Sequence, residues 1–127
     1  MVKRLANFFN ILFHCLKNIF LIKILSFDDL IKLLRSKKKR RIHYDNILNL
    51  SKRIKRTNSM LGLNTCLNNS VCLYNFIKND HQKIDFVIGV KRLNGEFSSH
   101  SWVELNNQPI NETDLTQYSE LLRINNL

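Results

Sequence analysis

The sequence predicts an α+β fold in which a helical N-terminal half precedes a central helix packed on a small antiparallel sheet. Three observations carry this. Apolar residues recur at helical spacing in the first half of the chain, from Leu5 onward. A stretch beginning at Cys66 is apolar almost all round, as a buried helix would be. From Ile84 the pattern changes to two-residue alternation punctuated by Asn-Gly and Asn-Asn pairs, the mark of hairpins. The 127 residues suit one domain spanning 1–127, divided into a basic helical part, 1–60, and a part carrying the candidate chemistry, 61–127.

Charge separates the same two parts. The net charge is +10, but up to Met60 there are 15 basic and 3 acidic residues, and beyond it 5 basic and 7 acidic. Cys15, Cys66 and Cys72 form no CxxC pair and are odd in number, which argues against a disulfide framework or a zinc site and for a reducing, cytoplasmic setting. His14, His43 and His81 show no metal-ligand spacing and no Gly-rich loop offers a phosphate cradle, so no cofactor and no metal are expected.

Taken in order, the first element is a helix. Leu5, Phe8, Phe9, Leu12, Leu16, Ile19 and Phe20 supply its apolar side, and Asn7, Asn10, His14, Lys17 and Asn18 its polar side. No small-residue cleavage site follows, and the polar interruptions leave it short of a membrane span. It fits a helix packed on the domain or on a partner. The alternative is peripheral membrane contact by a basic amphipathic helix. Ser26 before Asp28 and Asp29 reads as an N-cap with acids in the first turn, opening a short helix to about Ser36. The run Lys37, Lys38, Lys39, Arg40 and Arg41 follows, then a helix from about Tyr44 to Asn58 whose apolar side is Ile47, Leu50 and Ile54. With Tyr44 the only aromatic interleaved among these charges, a partner protein or acidic peptide fits this basic surface better than nucleic acid.

In the next helix Asn64 or Thr65 serves as N-cap, which puts Cys66 in the first turn. There, unpaired backbone N–H groups and the positive end of the helix dipole favour a thiolate. Ile84–Arg92 and Ser98–Leu105 read as paired strands, with His100, Trp102 and Glu104 on one side of the second. Asn106-Asn107 then turns the chain into a third strand, Pro109–Glu112, and a terminal helix is expected from Asp114 or Thr116 to about Arg123. Cys72 and Cys15 read as buried thiols, and Glu104 as a solvent-facing or structural carboxylate.

A cysteine at a helix start followed by a histidine on a strand is a nucleophile with a proton shuttle, the parts that amide cleavage requires. The third member is open on these grounds. A loop of Asn106 and Asn107 alone would put Asn111 on the His100 face, whereas a bulge or longer loop would bring Glu112, with Asp114 in range. For the oxyanion, the Cys66 N–H and the Asn64 side chain are candidates.

The segments NTCLNNSVCLYNFI, FVIGV and SSHSWVELNNQPINE together resemble the transglutaminase-like cysteine peptidases of lasso-peptide biosynthesis. The motifs are the helix start Cys66, Leu67, Ser70 and the strand His100, Trp102, Val103, Glu104. The resemblance implies a transglutaminase-like or papain-like arrangement with Cys66 as nucleophile and His100 as base. The family's acid, usually aspartate, falls at Glu112. It also implies removal of a leader peptide from a ribosomally made precursor, working with a separate leader-recognition protein and a lasso cyclase. Lys37, Lys38, Lys39, Arg40 and Arg41 would then dock the partner or the leader. Two other classes stay open: a thiol acyltransferase of the same fold, and a non-catalytic basic binding protein.

Overall fold

The computed structural model describes residues 2–36, 46–80, 82–110, 112 and 115–126. Four helices, α1 (Val2–Ile24), α2 (Phe27–Arg35), α3 (Ile47–Met60) and α4 (Cys66–Ile77), precede four strands, β1 (Ile84–Leu93), β2 (Glu96–Leu105), β3 (Gln108–Pro109) and β4 (Ser119–Asn125). The sheet is antiparallel in the order β3-β2-β1-β4. The basic run Lys37–Arg41 lies outside the described residues, as do Asn111 and Asp114.

Helix boundaries follow capping chemistry. Ser26 Oγ accepts from the Asp29 N–H, Asn46 Oδ1 from the Leu48 and Asn49 N–H groups, and Thr65 Oγ1 from the Asn68 N–H, each satisfying donors that the first turn leaves open. Ile47, Leu50 and Ile54 turn inward from α3 as their spacing predicts. In α4 every residue from Ser70 to Ile77 is buried, because helices cover one side and the sheet the other.

α1 is helical as expected, and Ile19 is buried and Asn10 and Lys17 exposed as the pattern predicts, but the helix is turned about its axis from the expected face. Ile11, His14, Cys15, Asn18 and Ile19 are buried, while Phe9, Phe13, Leu16 and Phe20 are exposed. Polar complementarity selects this orientation: His14 Nε2 donates to the Cys72 carbonyl at 2.9 Å, and Asn18 Oδ1 accepts from Asn75 Nδ2 at 2.5 Å. These bonds satisfy groups of α1 and α4 that burial would otherwise leave costly.

Both hairpins turn on two residues with positive φ, Asn94 and Gly95 at the first and Asn106 and Asn107 at the second, as tight turns of this kind require. β3 is shorter than the sequence suggests. Its ladder consists of Leu105↔Gln108 and Glu104↔Pro109, continued by one hydrogen bond from Ile110 N to Val103 O. The expected terminal helix is instead β4, paired with β1 through a register shift at Ile88/Gly89. Alternation of Leu122 and Ile124, each opposite an apolar residue of β1, outweighs the helix-forming Leu and Glu residues. Asn126 locks the junction, with its Nδ2 donating to the carbonyls of Lys78, Asp80 and Gln82 and its Oδ1 accepting from the Ile84 N–H.

Candidate active site

Thr65 is the N-cap of α4, so Cys66 is the first helical residue and its N–H has no partner within the helix. Its side chain is half-buried, unlike those of Cys15 and Cys72, which are fully enclosed; all three are free thiols. One turn on, Ser70 fastens this helix start to the sheet. Its Oγ lies 2.7 Å from the Cys66 carbonyl and 2.9 Å from the Ser101 carbonyl, and accepts from Ser101 Oγ at 3.3 Å. The residue before Ser101 is His100.

His100 Nε2 stands 3.1 Å from Glu112 Oε1, with both side chains partly exposed. The imidazole stacks on Trp102, with ring centroids 6.0 Å apart, and leans on Tyr118 at 5.6 Å. The two-residue loop would by parity put Asn111 rather than Glu112 on the His100 face. However, among the described residues the ladder ends at Pro109 with one further hydrogen bond from Ile110, and Glu112 is not part of a strand, so strand parity does not govern it. Cys66, Trp102 and Glu112 line one open cleft with Ser51, Lys55 and Asn69. His100 is not itself among the residues that line the cleft; two of its three neighbours, Glu112 and Trp102, are. Among the described residues no hydrogen bond joins Cys66 to His100.

Asn64 is not part of the cleft wall. Its Oδ1 accepts from Asn69 Nδ2 at 2.6 Å, and Asn69 in turn accepts from Asn58 at 2.7 Å, so the amide lining the cleft is Asn69, held from both ends. Asn58, Asn69 and Tyr118 were not singled out by the sequence reading; the Asn repeats around the helix start and the aromatic just before β4 were their only signals.

Glu104 is buried and structural, not solvent-facing. It accepts from Trp102 Nε1 at 2.8 Å and from Arg123 at 3.1 and 3.4 Å, and Arg123 also binds Asp85 and Glu120. Burial alone would raise its pKa, but hydrogen bonds from Arg123 and Trp102, with the charges of Arg123 and Lys83, hold it below the usual value. Trp102 is thereby fixed at both ends: ring face against His100 and N–H on Glu104. Gly89, paired opposite His100, makes room for it. A Cβ there would lie 2.8 Å from Trp102 Cη2 and 3.0 Å from Tyr118 Cβ.

Among the described residues no group of three or more His, Cys, Asp and Glu side chains comes together as a metal site, and no helix is long and apolar enough to cross a membrane.

A half-buried cysteine at a helix start, sharing a cleft with the carboxylate that pairs with a strand histidine, holds the groups of a thiol-dependent acyl-chemistry enzyme. Residues 19–123 match the Transglutaminase-like superfamily, and the chain belongs to it. Members of this superfamily are typically cysteine-dependent enzymes. No curated protein and no solved structure matches the chain.

Proposed function

We propose that the protein is a cysteine peptidase that removes the leader from a ribosomally made lasso-peptide precursor. The observation carrying this reading is the His100–Glu112 pair at 3.1 Å, placed where its neighbours share a cleft with Cys66. Glu112 occupies Nε2, which leaves Nδ1 of the same ring to take the thiol proton. Cys66 Sγ then attacks the scissile carbonyl carbon, and the tetrahedral oxyanion meets the open N–H at the start of α4. Collapse breaks the C–N bond as the imidazolium gives its proton to the departing amine, leaving a thioester. Water loses a proton to the imidazole, attacks the thioester and frees the acid and the thiol. Glu112 acts on the ring by orienting it and offsetting its positive charge. A reducing compartment such as the cytoplasm keeps Cys66 available.

The leader is presented by a separate recognition protein, and a cyclase closes the released core. The basic run Lys37–Arg41 supplies a docking surface for acidic residues of that partner or of the leader. Replacing these five residues by alanine is expected to weaken complex formation and flatten its salt dependence. Unchanged affinity and salt dependence would remove the docking role.

The deciding experiment incubates the chain with a leader-containing precursor and its recognition protein, followed by mass spectrometry. Cleavage by the wild type and none by Cys66→Ala supports the peptidase. Product carrying an added amine in place of water identifies an acyltransferase of the same fold. Equal inactivity with a validated precursor identifies a binding protein.

A further inference from the structure

The orientation of α1 leaves an unpartnered apolar face. At about 100° per residue, Phe9, Phe13, Leu16, Phe20 and Ile24 fall in one stripe, roughly opposite the side that packs on α4. Phe13 is 72% exposed, Phe20 62% and Phe9 60%. The stripe runs from Phe9 to Ile24, about 22 Å at the helical rise. Single exposed apolar side chains are ordinary on a protein surface, but a continuous stripe of this length marks a face that meets something apolar.

We propose that this face of α1 rests on an anionic lipid surface. Charge distinguishes this from self-association. Lys17 and Lys23 are exposed and flank the stripe on opposite sides, about 60° of helical arc from its centre. α1 has no acidic residue, while Lys3 and Arg4 add to its basic sequence. Two copies meeting through the stripe would set these lysines against each other, on chains that each carry +10. A bilayer with acidic headgroups accepts the phenylalanines among its acyl chains and the lysine ammonium groups among its phosphates, with the lysine stems lying along the apolar boundary. The helix lies in the plane of the interface, since no described helix is apolar enough to cross. His14 and Asn18, on the buried side, hold it to α4 in that attitude. The cleft is formed from α3, α4 and the sheet, so a surface-bound chain keeps its proposed site on other elements.

Co-sedimentation of the full chain with vesicles tests this. Binding to mixed phosphatidylcholine and phosphatidylserine vesicles, weak on phosphatidylcholine alone and reduced by salt, is expected. A Phe13→Ser/Phe20→Ser variant changes only exposed side chains and is expected to lose that binding with its unfolding midpoint unchanged. Lys17→Glu/Lys23→Glu is expected to weaken it by at least tenfold. A Phe13→Trp variant should show a blue-shifted emission on anionic vesicles. Absence of vesicle binding would overturn the proposal. So would equal binding to both vesicle types, or a vesicle-free dimer that the Phe13→Ser/Phe20→Ser change dissolves.

Discussion

His100 is held on three sides: by Glu112 at its Nε2, by the Trp102 ring and by Tyr118, over whose ring Lys91 Nζ sits at 4.9 Å. If the ring serves as the proton shuttle, His100→Ala should lower cleavage by about 10²–10⁴-fold, the usual worth of a positioned acid–base group. Glu112→Gln keeps a hydrogen-bond acceptor but loses the charge, so a smaller loss is expected, concentrated in kcat. Steady-state kinetics of both variants checks this. Glu104 gives a prediction about stability. Its folded-state pKa is depressed, so its contribution is present above the pKa of the unfolded chain and is lost as pH falls through the folded value. Glu104→Gln should therefore destabilise at neutral pH and lessen the fall in stability below about pH 4.5, as read from urea midpoints across pH.

The elements show which parts of the sequence were legible. Two caps were: Ser26, and Thr65 as one of the pair Asn64 or Thr65, are side chains whose local hydrogen bonds need nothing distant, whereas Asn46 fell inside a helix expected from about Tyr44. Removing one, by Thr65→Ala, should cost about 1 kcal/mol and loosen the turn that carries Cys66. Thermal denaturation and thiol alkylation rates measure the two effects. The placement of Cys66 at a helix start and of His100 on a strand was legible for the same reason. β4 was not, because Leu and Glu favour a helix and only pairing with β1 makes the Leu122/Ile124 alternation decisive. Glu112 was legible as a motif position but not by parity. Counting along a strand gives a side chain's face only while the ladder lasts, and among the described residues its last pair is Glu104↔Pro109.

At the scale of the molecule, the turned α1 shows that hydrophobicity alone does not settle which face points inward. His14 and Asn18 find partners on α4, the Cys72 carbonyl and Asn75, and those partners are buried. Asn18→Ala should therefore strand an amide and destabilise the chain by about 1–3 kcal/mol, and would be read as an earlier urea midpoint. The α4 core also holds Tyr74, whose pKa is pushed up to about 12, first by burial and then by the negative charge of Asp85. A raised folded-state value means stability is present below the ordinary tyrosine range and lost as pH climbs through about 12. In a spectrophotometric titration one phenol should therefore ionise late, and Tyr74→Phe should remove that step and soften alkaline unfolding.

Glycine in the middle of a strand is ordinarily a weakness, and its replacement by alanine is a standard route to a tougher protein. At Gly89 that improvement would work against the molecule. The hydrogen that stands in place of a side chain leaves space the indole of Trp102 already occupies, and the indole is the floor beneath the imidazole. An engineer hardening this protein would meet a trade-off here, with the sheet's gain in rigidity taken from the alignment of His100.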